Sequence, residues 1–530
     1  MSAAAITGEQ HLEAGSAQKW LVAIAVMLGT TLEVLDTSIV NVALPHMQGT
    51  FSASVDEIAW VVTSYLVANG IMIPMTGWIS SRFGRKRYFM TSVAVFVAAS
   101  GLCGAATSLN QMVIFRLIQG AAGAAMIPSS QAILMETFPP AEQQMAMAMW
   151  GVGLMVAPIM GPTLGGWITD NWNWRWNFYI NLPVGLAALL MVSTFVHDPV
   201  YLRQRRAKGG RVDYIGILCL ILGLGLMEIV LDRGQRADWF AAPWVWYFTI
   251  ASAASMLILI IHELRFPEPI LDLRIMGIPA FDLSVSLQVA MSFALYGTGL
   301  LNPIFLQEFM GYTAWRAGLV LAPRGLGTMF SMMLIGQLAR LKFDTRPLIG
   351  LGFVLMAISL WTMSKWNLSV STWTVIWPSI GMGVGMGLIF PTLSATTLSV
   401  VSRERMGYAA SLYNMMRNAG AAIGISYMTA SLVSHQQVHQ SYLVEHFSIF
   451  DAWRMSNGAP RMAGAHGFAY IPQMVGGNHQ GFAGVYGLIQ AQAAMLSFND
   501  IYRVLAFGMM ILIPSFLLLR RVGTASGPAH

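Results

Sequence analysis

Along the chain, long uninterrupted apolar runs alternate with short polar connections. A helix needs roughly 20 apolar residues to cross a hydrocarbon core. Runs of about that length recur at 20–44, 58–80, 88–107, 111–136, 144–169, 178–197, 213–232, 243–262, 280–306, 314–339, 348–366, 373–400, 408–433 and 500–520. The pattern predicts an all-α membrane protein with fourteen spanning helices. A membrane β-barrel would need alternating segments of about 10 residues, and these runs do not alternate.

Composition fits that picture. The chain is 56% hydrophobic with a mean hydropathy of +0.60, and 10% of its residues are charged; a soluble domain has about 25%. The cations cluster in alternate connections: "RFGRKR" after span 2, "RQRRAKGGR" after span 6, "RLKFDTR" after span 10, "SRER" after span 12 and "RR" after span 14. The positive-inside rule then places both termini in the cytoplasm. The same clusters account for the pI near 9.3 without a nucleic-acid partner. The first run lacks the short apolar core of a cleavable signal and carries acids, so it is retained as span 1.

Internal similarity divides the chain further. "GAAGAAMIPSSQAIL" from Gly120 resembles "GVGMGLIFPTLSATT" from Gly383, and a displacement of 263 residues sets Pro128 on Pro391. The same displacement sets Ala157 on Gly420 and Gly161 on Gly424, and a slightly smaller one sets "GWISSRFGRKRYF" against "GQLARLKFDTRPL". Duplicated halves are common in transporters. The expected organisation is a cytoplasmic N-terminus at 1–19, a six-helix bundle at 20–197 and two inserted helices at 198–265. A second six-helix bundle at 266–520 and a cytoplasmic tail at 521–530 complete it.

The one long loop, 434–499, falls on the outer face. It holds "HQQVHQSYLVEHF" and a Gly-, Met- and His-bearing tract, "GAHGFAYIPQMVGGNHQGFAGVYG". His435 and His439 have a one-turn spacing, yet two histidines with no third ligand make a poor metal site. A helical extension of span 13, offering a docking surface, is the better expectation. Cys103 and Cys219 both lie inside spans, where a free thiol behaves as a small apolar residue.

Chemistry concentrates in span 1. "LEVLDTSIVNVALP" puts Glu33 and Asp36 on one helical face. If both were ionised and facing lipid they would cost about 5–7 kcal/mol. Facing a water-filled cavity, keeping a proton or pairing with a cation each lowers that cost, and two carboxylates one turn apart titrate as a pair. Arg116 in span 4 is the natural counter-charge. A buried pair that merely fixes helix register is the plainer reading, but ionisable groups inside a membrane are functional by default. Asn41, Gln119, Glu228 and Arg324 are expected to line a cavity or bridge helices. Glu228 lies inside span 7 and Asp232 at its outer end, while Arg324 and Arg417 lie near span ends, where snorkelling accounts for them.

A second feature is structural. Gly153, Ala157, Gly161 and Gly165 repeat every four residues along span 5 and make a smooth strip for close helix approach. Gly166 follows, and Pro158 and Pro162 remove two backbone donors and invite a bend.

Several of these segments resemble one family. "LDTSIVNVALP" from Leu35, "GWISSRFGRKR" from Gly77, "RLIQGAAGAA" from Arg116, "GLMVAPIMGPTLGG" from Gly153, "WRWNFYINLPVG" from Trp174 and "LDRGQRADWF" from Leu231 look like motifs of the major facilitator superfamily. Within it they resemble the fourteen-spanner drug–proton antiporters of the EmrB/QacA type, on the EmrB side. The resemblance implies the major facilitator fold, two six-helix bundles plus two inserted helices, in a bacterial inner membrane. It also implies that the Gly153–Gly166 motif is a hinge between the halves that seals against proton leak, and that Gly77, Arg82, Gly84 and Arg85 belong to a gating loop. That loop normally carries an acid where this chain has Ser81, so its latch must be weaker or made differently.

The function implied is a proton-driven multidrug exporter working by alternating access. Small amphipathic or hydrophobic molecules would be its substrates, and lipid its surroundings. The proton gradient would be the energy source, with no cofactor. A periplasmic adaptor and an outer-membrane channel would be its partners. Many of the 17 Trp, 26 Phe and 37 Met must serve lipid contact and the interfacial belt, though a polarizable lining also suits varied cargo. The chain has no Gly-rich phosphate loop, metal cluster or nucleophile constellation, which argues against an enzyme. An exporter of one lipid, siderophore or metabolite is the alternative. A non-transporting sensor or scaffold is a further one, but it would need neither the acids, the arginine nor the hinge.

Overall fold

A computed structural model describes residues 16–198, 212–341, 344, 346–445 and 479–519. The first residues of the N-terminus, the "RQRRAKGGR" connection, most of the Gly/Met/His tract and the C-terminal tail lie outside the described residues. In a membrane every backbone donor and acceptor must be satisfied within the chain, and a helix does this without a partner. No strand occurs among the described residues.

The spanning rods are α1 (Ser16–Phe51), α2 (Trp60–Met72, Ile73–Met75 and Thr76–Phe83, end to end), α3 (Arg85–Ala105), α4 (Leu109–Thr137), α5 (Gln143–Asn171), α6 (Trp176–Phe195) and α7 (Tyr214–Arg233). Then come α8 (Pro243–Arg265), α9 (Pro279–Ile304), α10 (Ala314–Arg340), α11 (Arg346–Met363), α12 (Thr372–Ser399), α13 (Met406–Glu445) and α14 (His479–Leu512). Side-chain caps start several of them. Ser108, Thr313 and Ser371 accept from backbone N–H groups three residues on, as does Asp213 from Gly216 at 2.8 Å.

Two helices differ from the pattern of apolar runs. α13 continues through Glu445 as one 40-residue helix, and α14 begins at His479 rather than near residue 500. The segment after His479 is rich in Ala, Gly and Gln, which helices accept but an apolar-run criterion does not detect.

Each half repeats one packing scheme. α1 lies along α5 and α6, and α2 along α4; in the second half α9 lies along α13, and α10 along α12. The repeated small residues serve equivalent contacts. Gly161 and Gly165 of α5 meet Ser38 and Ile39 of α1, while Gly420 and Gly424 of α13 meet Val289 and Phe293 of α9. Gly120 of α4 lies against the Tyr65 backbone, and Gly383 of α12 against the Arg324 backbone.

The inserted pair stands at the side. Ser252 of α8 donates to the Gly223 carbonyl of α7 at 2.7 Å, and α7 leans on α2 through Gly225 near Ile71. Thr63 donates to Asp232 at 2.7 Å and Arg233 lies 4.7 Å above the Trp60 ring. Leu218, Ile250, Leu257, Leu326 and Phe330 are exposed, as expected of a surface solvated by lipid.

α2, α4, α6, α8, α10 and α12 end at one end of the bundle, which we term the basic face. Here Gly84 has φ +94°, a backbone conformation open to glycine but strained for other residues. It separates α2 from α3, and the Lys86 N–H beyond it donates to Asp198 at 2.8 Å.

Candidate functional site

Asp36 sits midway along α1 and is fully buried, as is Arg116 on α4. The Arg116 guanidinium pairs with Asp36 at 2.6 Å. Gln119, one turn further along α4, donates to the other carboxylate oxygen at 2.8 Å, and Asn181 of α6 donates to that same oxygen at 2.8 Å. Arg116 also donates to the Val61 carbonyl at 3.1 Å and to Gln119 at 2.8 Å, and its guanidinium lies 4.2 Å from the Tyr65 ring centroid. Asn181 is held in turn by Ser100 at 2.9 Å. Five helices thus converge on one carboxylate. Charge-assisted hydrogen bonds of this kind are the strong ones, and removing one partner of a buried pair costs about 3–5 kcal/mol.

Glu33 lies one turn toward the basic face and is differently placed. It is 6% exposed, accepts from Asn69 at 3.1 Å and is faced by the Ile127 backbone; its second oxygen is buried without a hydrogen-bond partner among the described residues. The two acids of the motif therefore divide. Asp36 is saturated and fixed, while Glu33 retains an open acceptor, the condition a group needs to take and lose a proton or to meet a cation.

Of the other residues read from sequence, Gln119 joins the Asp36 network. Asn41 is exposed and outside it. Glu228 is half-buried on α7, on the stripe that Gly225 and Asp232 turn toward α2. Arg324 donates to the Leu295 carbonyl at 3.2 Å and to Thr298 at 3.3 Å, inside its own half. Arg417, for which snorkelling sufficed, is instead 6% exposed, with a buried Nε that has no partner. His439 pairs with Asp500 at 2.8 Å, and no group of three His, Cys, Asp or Glu among the described residues has the spacing to hold a metal.

The Gly153–Gly166 motif is placed against α1 of its own half: Gly153 against Met27, Gly161 against Ser38, Gly165 against Ile39 and Gly166 near Val42. Ala157 is buried and Pro158 exposed within an unbroken helix, and the same helix includes Pro162. Contact of α5 with the other half is made elsewhere, where Gly151 faces Met332 and Ala148 and Met145 face Gly336.

At the basic face the halves meet. Gly77 packs so closely on Gly407, Tyr408 and Ser411 that a Cβ would come within 2.8 Å of each. Ser81, standing where the acid is missing, shares a 3.2 Å hydrogen bond with the Tyr408 hydroxyl. Arg85 is buried and paired with Glu136, and Arg82 lies 5.5 Å from the Trp78 ring. Asn414 donates to Gln131 at 2.5 Å and Gln144 to Thr392 at 3.1 Å, both across the halves. At position 81 itself the contact with the other half is thus a neutral hydrogen bond, beside close backbone packing at Gly77.

Asn69, Asn181 and Tyr65 escaped the sequence reading. Asn181 had a signal, as a polar residue inside "WRWNFYINLPVG"; Asn69 and Tyr65 are ordinary membrane-helix residues until α4 brings Arg116 beside them.

Comparison with known proteins places this geometry. Residues 26–425 match the model of the Major Facilitator Superfamily. The multidrug export protein EmrB of Escherichia coli K12 is 36% identical over 445 residues, covering 84% of this chain and 86% of that protein. The fatty acid resistance protein FarB of Neisseria gonorrhoeae is 32% identical over 519 residues, covering 97% and 99%. Among solved structures, the proton:xylose symporter XylE aligns with TM-score 0.59 at 16% identity over 94% of this chain and 96% of that one. The human organic anion transporter MFSD10 aligns with TM-score 0.60 at 13% identity over 93% and 99%. With its two repeated six-helix halves and its motifs in place, the chain belongs to the major facilitator superfamily, among the multidrug exporters of the EmrB type.

Proposed function

We propose that the protein is a proton-driven multidrug antiporter. The observation that carries this reading is the division of labour in α1: Asp36 locked by Arg116, Gln119 and Asn181, and Glu33 one turn away with a buried, unpartnered oxygen. A scaffold has no use for an open carboxylate in mid-membrane. A proton moving inward through 100 mV supplies about 2.3 kcal/mol, enough to bias release strongly at every turnover.

In this reading the basic face is cytoplasmic, as the positive-inside rule indicates. Contacts at Gly77–Tyr408 and Gln131–Asn414 close the basic face in the described conformation. Substrate enters from the cytoplasm or inner leaflet. Once the carrier faces outward, protonation of Glu33 weakens the hold on a cationic substrate and favours release. The protein acts as the inner-membrane part of a tripartite system. The helices that extend α13 to Glu445 and start α14 at His479 offer the contact for a periplasmic adaptor. They are tied together by His439–Asp500 and by Gln440–Tyr486 at 2.8 Å.

A second reading, export of one amphipathic acid, is favoured by the near-complete alignment with a fatty acid resistance protein. The test is transport in proteoliposomes with an imposed pH gradient, using a cationic dye and a fatty acid in parallel. The wild type is compared with Glu33→Gln, Asp36→Asn and the double variant. Gradient-dependent dye movement lost in the variants supports antiport. Movement that survives the double variant overturns it, and movement of the fatty acid alone moves the second reading to first place.

A further inference from the structure

Arg417 is a further buried cation in the middle of the bundle, and its position follows from a contact one turn away. Asn414 of α13 donates to Gln131 of α4 across the halves. α4 runs toward the basic face and α13 away from it. Ile127 therefore stands one turn from Gln131 on the far side, and Arg417 nearly one turn from Asn414 on that same side. The Ile127 backbone faces the Glu33 carboxyl. Glu33 and Arg417 thus occupy one level, one from each half. Both are 6% exposed, and each has a buried polar atom without a partner, Glu33 Oε2 and Arg417 Nε. The Arg417 guanidinium is within electrostatic reach of Glu33. Its only hydrogen bond among those found is a long one to Asn418, at 3.4 Å.

We propose that Arg417 is a positioning residue for coupling: it is the counter-charge that ionised Glu33 draws across the cavity as the halves close, and that protonation of Glu33 releases. This rests on the antiport reading above. The physics is a contest. Two opposite charges in a poorly solvated cavity attract strongly, so an ionised, empty Glu33 favours closure upon Arg417. A proton on Glu33 cancels that attraction, and a cationic substrate at Glu33 takes the place of the guanidinium. The other titratable or charged groups around Glu33 are Asp36 on its own helix, Tyr65 on α2 and Arg116 on α4. Arg116 is committed to Asp36, and Tyr413, the titratable neighbour of Arg417 on α13, bonds Gln288 and Ser394. That leaves Arg417 as the cation free to answer Glu33.

The test uses the full chain in proteoliposomes, with ethidium as the probe and exchange recorded from pH 5.5 to 8.5. Wild type is measured first: no gradient-driven ethidium movement overturns the antiport reading itself. Where wild type transports, Arg417→Lys should retain exchange within about threefold, since it keeps the charge. Arg417→Gln should lose about tenfold and move the pH profile to the alkaline side by about one unit, because Glu33 then keeps its proton more easily. On a Glu33→Gln background, where exchange is already lost, Arg417→Gln should leave thermal stability in detergent unchanged. An unshifted profile in Arg417→Gln, or a further loss of stability on the Glu33→Gln background, would overturn the proposal and leave antiport standing. If Arg417→Gln does not fold, Arg417→Lys and the Glu33→Gln/Arg417→Gln pair decide. A Lys variant as inactive as an unfolded one, or a double variant less stable than Glu33→Gln alone, would sink it.

Discussion

The two six-helix halves share their packing and differ in charge. The contact of Gly161 with Ser38 corresponds to that of Gly424 with Phe293, so the first helices of the halves align with a displacement of 255 residues. That alignment sets Glu33 on Gln288 and Asp36 on Met291. The displacement of the fourth helices, 263, sets Arg116 on Ser379. The second half thus keeps the frame of the site without its ions. Gln288 accepts from Tyr413 at 2.7 Å, and Met291 and Ser379 are fully buried. The frame is what folding requires in both halves, whereas the ions of the first half are extra, costly to bury and retained for coupling.

The largest expected effect tests that distinction directly. Asp36→Asn keeps the size of the side chain and strands the Arg116 charge among Gln119, Tyr65 and the Val61 carbonyl. Gradient-driven exchange should fall at least a hundredfold, with stability lowered by about 3–5 kcal/mol; flux and thermal unfolding in detergent are the readouts. Arg116→Gln should do the same from the other side. Full activity in either variant would mean that the pair only fixes helix register.

The converse is to put the ions where the repeat lacks them. Met291→Asp buries an acid whose nearest cation among the described residues, Arg324, is held by Leu295 and Thr298 one to two turns away, and it should destabilise the protein by up to several kcal/mol. Adding Ser379→Arg should recover a large part of that loss without adding transport, since no open carboxylate comes with it. Recovery absent from thermal unfolding would show that the halves differ in frame as well as in charge.

Much of the comparison was legible in the sequence. Fourteen apolar runs, two acids in the first of them and an arginine in the fourth are plain, because charges stand out against a membrane helix. The matching small residues gave the duplication, since tight helix approach leaves a four-residue spacing behind. What the sequence concealed was depth and partnership. Arg417 was read as a snorkelling cation because the sequence does not show what α13 packs against; Asn414, nearly one turn away, meets Gln131 of the other half, and Arg417 is buried beside that contact. The hinge motif names its small face but not the helix that face meets, and here it meets α1. Asn69 and Asn181 carry ordinary polar side chains whose roles exist only once five helices converge.

The shared glycine strips give a smaller test. At Gly161 the obstacle to a Cβ is the Ser38 side chain, whereas at Gly424 it is the Phe293 backbone. Gly424→Ala should therefore cost more than Gly161→Ala, both within about 1–3 kcal/mol of overpacking. Paired thermal unfolding of the two variants measures the difference, and the reverse order would show that α9 yields more readily than α1.

The smallest effect lies where the halves touch. The Ser81–Tyr408 hydrogen bond, at 3.2 Å, is a neutral contact, and such a bond is worth about 0.5–1.5 kcal/mol. Tyr408→Phe should remove it without disturbing the backbone packing of Gly77 on Gly407. It should move the conformational equilibrium by a factor of about 2–10 toward opening at the basic face. A single cysteine placed in the cavity and labelled from each side of the membrane reads that ratio. Because the bond is neutral, the ratio should respond little to ionic strength, whereas Ser81→Asp should introduce a salt-dependent term. A ratio unmoved by Tyr408→Phe would assign closure to the glycine contact alone, the feature that needs no particular side chain at position 81.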